Sequence, residues 1–177
     1  MHLLSLHLLI LLLLPLSGWG NDVPLFAIQR SKNVNTVQYY LRVDDRCQIV
    51  SDYPVNAFWQ LREVSPETTA PLSDLEHMVY GAVNQRVAEN WVSFDLGFLE
   101  HFRPLEQRSV KATASYDPHA VTCAPIIRTT INGQAAILER IYVQTDERGL
   151  KPKVLYIDIF GKSIEGTHGP VRERITP

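Results

Sequence analysis

Apolar residues in this chain recur at every second position in one segment after another. In Asn35–Val43 the residues Val37, Tyr39, Leu41 and Val43 share a face. In Val55–Glu63 the set is Val55, Ala57, Trp59 and Leu61, and in Trp91–Leu96 it is Val92, Phe94 and Leu96. Ser109–Tyr116 repeats the pattern more weakly through Val110, Ala112, Ala114 and Tyr116. Lys153–Phe160 places Leu155, Ile157 and Ile159 together, with Asp158 on the opposite side. Successive side chains of a strand point to opposite faces, so alternation of this kind buries one face of a β-strand. Enrichment in β-branched and aromatic residues supports the same reading.

Turn chemistry divides these strands. Asn132-Gly133 separates Ala124–Ile131 from Gln134–Thr145. Both residues tolerate positive φ, as a type I′ hairpin turn requires. Asp44-Asp45-Arg46, Ser51-Asp52-Tyr53-Pro54 and Glu147-Arg148-Gly149 read as further turns. One short helix is expected, because Ser73 and Glu76 stand at capping-box spacing. Leu75, Met78, Val79 and Ala82 would form its apolar face, and Gly81 would end it. The expected fold is all-β: an antiparallel sandwich or barrel of about eight or nine strands with one short helix.

The amino terminus bears on compartment. Leu3 to Leu16 is an apolar run of about fourteen residues, shorter than the roughly twenty that a membrane span needs. It reads as the core of a secretory signal peptide, residues 1–20, with cleavage after Gly20 or Gly18. The competing reading is an uncleaved anchor. Residues 21–177 then form a single β-rich domain, secreted or periplasmic, with no stable membrane span after cleavage. In an oxidising compartment Cys47 and Cys123 read as a disulfide, the alternative being two separate buried thiols.

Charge and motifs narrow the function. The formal net charge is −2, which gives no electrostatic case for nucleic acid. Gly161-Lys162-Ser163 resembles the end of a phosphate-binding loop, but Tyr156 stands where the first glycine is required. Asp117, His119 and Cys123 lack the paired short spacing of a zinc site, so no metal or cofactor is expected. Tyr40 and Phe58 point outward from their strands as either a cross-strand pair or a contact patch.

One charged position breaks the alternation. Along Gln134–Thr145 a single face reads Ala135, Ile137, Glu139, Ile141 and Val143. An unpaired carboxylate there would be costly. Similar parity puts Arg30 in phase with Phe26 and Ile28. Arg30 is therefore the expected partner, with Lys32 and Lys153 in reserve. Arg30, Lys32, Asn33, Glu139 and Lys153 form a candidate polar cluster, either a structural ion pair or a ligand site.

Three segments carry a resemblance to a known family. They are LFAIQRSKNVNTVQYYLRV at Leu25–Val43, PVNAFWQL at Pro54–Leu61, and ILERIYVQTDERGLKPKVLYIDIFGKS at Ile137–Ser163. Together they resemble domain-of-unknown-function family 4833, over a core of residues 25–163 with a polar tail at 164–177. The resemblance implies one compact domain and no catalytic residue. The leading functional expectation is thus a non-enzymatic exported module that binds a protein or small molecule, or is structural. One alternative is an enzyme with Glu139 as acid or base and Arg30 or Lys32 orienting an anionic substrate. Another is a carrier of a small apolar ligand inside a hollow barrel.

Overall fold

The structure, a computed structural model, describes residues 20–97, 110–146, 148, 153–165 and 169–177. The expected signal segment lies outside the described residues, apart from Gly20. The all-β expectation holds, with more strands than the alternation announced. The strands are β1 (Asn21–Arg30), β2 (Asn33–Val43), β3 (Val55–Gln60), β4 (Thr69–Pro71), β5 (Ala82–Ala88) and β6 (Trp91–Leu96). They continue as β7 (Val110–Asp117), β8 (Thr122–Ile131), β9 (Gln134–Asp146), β10 (Lys153–Ser163) and β11 (Pro170–Ile175). Helix α1 (Asp74–Tyr80) joins β4 to β5. All belong to one sheet of 11 strands. The segment read as a polar tail contains β11, paired antiparallel with β10.

The sheet forks at β9. One edge of β9 pairs with β10 throughout. The other edge serves two strands in turn. β8 pairs with Gln134–Ile137, and β1 pairs in parallel with Arg140–Val143. Two arms leave this stem, β1–β4 and β8–β5, and they fold toward each other so that β2 approaches β7 and β3 approaches β5. The result is a sandwich-like fold rather than a closed barrel.

Side chains fill the space between the arms. Ile28, Val37, Tyr39 and Leu41 come from one arm, Val92, Phe94, Ala112 and Ile127 from the other, and Ile141, Ile157 and Ile159 from the stem; all are buried. Phe26 stacks on Tyr39 with centroids 4.4 Å apart. Among the described residues these side chains form one buried hydrophobic cluster.

Polar links tie the arms together. The Gln85 side-chain amide accepts from the Val55 N–H at 2.9 Å and donates to the Val55 carbonyl at 2.7 Å, imitating a strand neighbour. Asn90 accepts from the Ile49 N–H at 3.1 Å. Cys47 and Cys123 form the disulfide, with Cα atoms 5.6 Å apart, joining the loop after β2 to β8.

Local chemistry explains several elements. Asn132 and Gly133 have φ of 50° and 76°, the left-handed pair that the hairpin required. Ser73 and Glu76 form the capping box of α1. Gly81 ends the helix in extended backbone, not in the left-handed region. It must be glycine because a Cβ would lie 2.4 Å from the His77 carbonyl oxygen. The expected apolar face of α1 is not buried: Leu75 and Met78 are each 67% exposed.

Candidate functional site: an arginine and aromatic face around Asp158

A charged surface is built on the stem. In the register of β9, β10 and β11, Phe160 lies between Arg140 and Arg172, and Asp158 lies between Tyr142 and Arg174. Tyr156 lies opposite Gln144. Alternation points these residues away from the core, into which Ile157, Ile159 and Ile175 are packed. The sequence Arg172-Glu173-Arg174 puts both arginines on this outer face. Glu173 turns the other way and accepts the Asn132 N–H at 2.6 Å.

Asp158 is on an outward face and still only 3% exposed. Two half-exposed arginines cover it. Arg174 donates from Nε to Oδ1 and from Nη2 to Oδ2, each at 2.8 Å. Arg172 donates from Nη2 to Oδ2 at 2.6 Å. The Arg174 hydrogen bonds, aided by Arg172, hold the carboxyl at about 2, below its ordinary 3.8, against the opposing effect of burial. The Arg174 guanidinium is pushed up in turn by its hydrogen bond to Asp158.

Aromatic rings fix the guanidinium planes. Arg140 lies 3.6 Å from the Phe160 ring centroid and Arg174 lies 3.7 Å from that of Tyr156. Arg172 is 5.4 Å from Phe160 on its other flank. Such cation–π contacts contribute roughly 0.5–1 kcal/mol each at exposed sites. Three guanidinium groups against one carboxylate leave the face cationic. A guanidinium carries five N–H donors in a planar fork suited to carboxylate, sulfate or phosphate. Because the planes lie over the rings, the outward chemistry of the face is that of arginine rather than of bare aromatic surface.

A second polar group surrounds α1. Arg30, at the end of β1, lies near the Tyr80 hydroxyl and near Glu76, and its charge lowers both groups. Trp59 lies near Glu76 and meets Tyr80 edge-on with centroids 6.0 Å apart. The Glu76 carboxyl is held below its ordinary value first by the Ser73 backbone N–H. Burial pushes the Tyr80 phenol up. Tyr39 donates its hydroxyl to the Tyr80 carbonyl.

The profile of the family described as domain of unknown function (DUF4833) matches residues 26–174. The chain belongs to this family. The match runs past the 25–163 core that the three segments suggested and takes in Arg172 and Arg174 of the face. Comparison with curated proteins and with solved structures found no match.

This DUF4833 domain does not bring the five residues of the expected cluster together. Arg30 joins the group around α1, as above. Lys32 is exposed in the β1–β2 turn, with φ of 58°, and acts on Asp146. Asn33 accepts the Asn35 N–H at 2.9 Å, a local turn bond. Lys153 is exposed opposite Asp146. Glu139 points outward and pairs with Lys162 at 2.8 Å, not with Arg30.

The reason is a β-bulge. Arg140 faces Phe160, but the next pair is Leu138 with Gly161, so Glu139 is the extra residue. Parity reverses there: Ala136 and Leu138 are buried before it, Ile141 and Val143 after it. The buried, paired carboxylate foreseen at 139 exists at 158. The remaining motifs have structural roles. Asp117 accepts the His119 N–H at 2.8 Å in a turn, and Cys123 is held in the disulfide. Gly161, Lys162 and Ser163 lie within the β10 ladder. Tyr40 and Phe58 pair edge-to-face at 6.0 Å.

Proposed function

We propose that this chain is an exported, non-enzymatic binding module that holds an anionic ligand on the face formed by Arg140, Arg172 and Arg174. The observation that carries the reading is the fixed array of guanidinium groups around Asp158, supported on aromatic rings. A surface whose donors are already immobilised loses little side-chain freedom on binding. Adjacent strands lie about 4.8 Å apart, so Arg140 and Arg172 stand about 10 Å apart at the backbone. That spacing suits an extended ligand with more than one anionic group. Export is supported by the apolar run at Leu3–Leu16 and by the Cys47–Cys123 disulfide. An acid–base role for Glu139 loses its support, since the carboxylate sits half-exposed against Lys162, away from Arg30.

The test uses polygalacturonate, dextran sulfate and neutral dextran as probes, with binding followed by affinity electrophoresis at low and high salt. The two polyanions should retard the protein at low salt and release it at high salt, while dextran has no effect. Arg140→Gln leaves Asp158 with both of its arginines and should weaken the retardation. Retention equal to the parent protein, or no retardation by either polyanion, overturns the reading. N-terminal sequencing of secreted protein tests export, with Asn21 as the expected first residue.

A further inference from the structure

Where the sheet forks, two strand edges are left beside a cleft. Asn21–Pro24 of β1 pair with Tyr40–Val43 of β2, and the β1 ladder to β9 starts only at Ala27. Thr122–Pro125 of β8 pair with Ala114–Asp117 of β7, and the β8 ladder to β9 involves only Arg128–Ile131. Among the described residues no strand pairs with the other edge of either segment. Both segments line one cleft of about 790 Å³, within the range typical of ligand sites. The disulfide between Cys47 and Cys123 adjoins it.

The prolines identify these as edges. Proline cannot donate to a ladder and is confined to edge positions of a sheet. Pro24 and Pro125 both lie in the unpaired stretches and line the cleft. They remove donors and keep carbonyl acceptors, so the walls favour a guest that brings N–H groups. Charge selects the guest further. Asp22, Asp45 and Asp117 line the cleft, and among the described residues no Lys or Arg does. Arg42 neutralises Asp22 at 3.1 Å, and Asp45 and Asp117 remain as acidic groups. Tyr116 and Val121, 55% and 73% exposed, supply apolar surface beside them. The chain's own first twenty residues carry no Lys or Arg and do not match this charge.

We propose that the cleft between β1 and β8 takes an extended, basic segment of a partner protein as an added strand. Main-chain hydrogen bonds supply affinity in such strand addition, and alternate side chains supply specificity. One face of the guest strand places its Lys or Arg residues against Asp45 and Asp117; the other rests on Tyr116 and Val121. This site is independent of the arginine face and takes the opposite charge.

The probes are blocked eight-residue peptides that alternate lysine with valine, the glutamate–valine counterpart, and the lysine–valine peptide N-methylated at alternate backbone positions. Titration calorimetry on the full domain should show binding of the first peptide and about tenfold or greater loss for the other two. Asp45→Asn with Asp117→Asn should weaken the lysine peptide, and Ala120→Lys in the exposed turn beside the cleft should do so without touching a carboxylate. Arg140→Gln should leave it unchanged, so failure here is distinguishable from failure of the anion-binding reading. Equal affinity of the N-methylated peptide shows surface charge attraction without strand addition and overturns the proposal. So does equal affinity of the glutamate peptide, or no binding by the lysine peptide.

Discussion

Arg174 grips Asp158 through two parallel hydrogen bonds of 2.8 Å, and so joins the last strand of the fold to the middle of its stem. Geometry of this bidentate kind is among the stronger charge-assisted contacts. Because Asp158 is buried and its partners are half-exposed, the two sides of the pair differ in what their loss would do.

Removing both arginines, Arg172→Gln with Arg174→Gln, strands a buried carboxylate and should cost about 3–5 kcal/mol. Asp158→Asn leaves only cations that can reach water, and should cost about 1–3 kcal/mol. Urea denaturation of both variants measures the contrast. Equal costs would show that the carboxylate is not buried in solution.

The same pair sets an acid limit. The Asp158 carboxyl lies at about 2 in the folded protein, below its ordinary 3.8. A depressed folded value means that the unfolded chain takes up the proton first. The stabilisation is therefore complete above about pH 4 and is lost as the pH falls toward 2, by about 2 kcal/mol in all. Urea midpoints measured across that range should fall less steeply in Asp158→Asn than in the parent protein.

Gly161→Ala should be strongly destabilising. A Cβ there would lie 2.2 Å from the Ile137 carbonyl oxygen, which is backbone and cannot swing aside. A loss of about 2–4 kcal/mol is expected from the forced shift of the ladder. At Gly133 a Cβ meets nothing within 4 Å, and only the φ of +76° resists it. Gly133→Ala should cost about 1 kcal/mol. Thermal melts of the two variants rank them.

The Glu139–Lys162 pair should couple weakly. Both side chains are substantially exposed, at 43% and 60%, and exposed ion pairs contribute roughly 0–1 kcal/mol. A double-mutant cycle to Gln and Met should return a coupling in that range and fading with salt. A larger value would mean that Glu139 is more enclosed than its bulge position allows.

The disulfide should matter more than any surface pair. It closes a loop of 76 residues, and the chain-entropy account gives roughly 4 kcal/mol for a loop of that size. Cys47→Ser with Cys123→Ser should lower the melting temperature clearly, and reduction of the parent protein should reproduce the shift.

The sequence made regular strands legible and irregular ones not. Trp91–Leu96 alternates without interruption and was placed to the residue. The Asn132-Gly133 turn was equally clear, because its backbone requires residues that few others replace. β5 was missed because Asn84 has φ of 53° and its pairing slips between Val83 and Arg86. That slip destroys the alternation. Pro170–Ile175 was missed as a strand because the charged Glu173 stands on its inner face between Val171 and Ile175 and breaks the alternation. The charged site failed in the same manner. Glu139 looked inward by counting, and a bulge that no residue type announces turned it out. Asp158 was correctly set opposite Ile157 and Ile159, but its burial depends on β11, whose partner strand is not written in local sequence. The shared capping box at Ser73 and Glu76 was legible, whereas the meeting of Glu76, Tyr80 and Arg30 required the fold.

The parallel pairing of β1 with β9 has a consequence for the order in which the molecule can be assembled. Ala27 meets Arg140, and β2 to β8 lie between them in the chain. As the polypeptide emerges, β1 can join β2 at once by a local hairpin, but its second neighbour does not yet exist. Closing so long an intervening stretch is slow relative to hairpin formation. The first arm can meet the second through Cys47–Cys123 and Gln85–Val55, but β1 stays paired on one edge alone until β9 arrives and joins both meanders into one sheet.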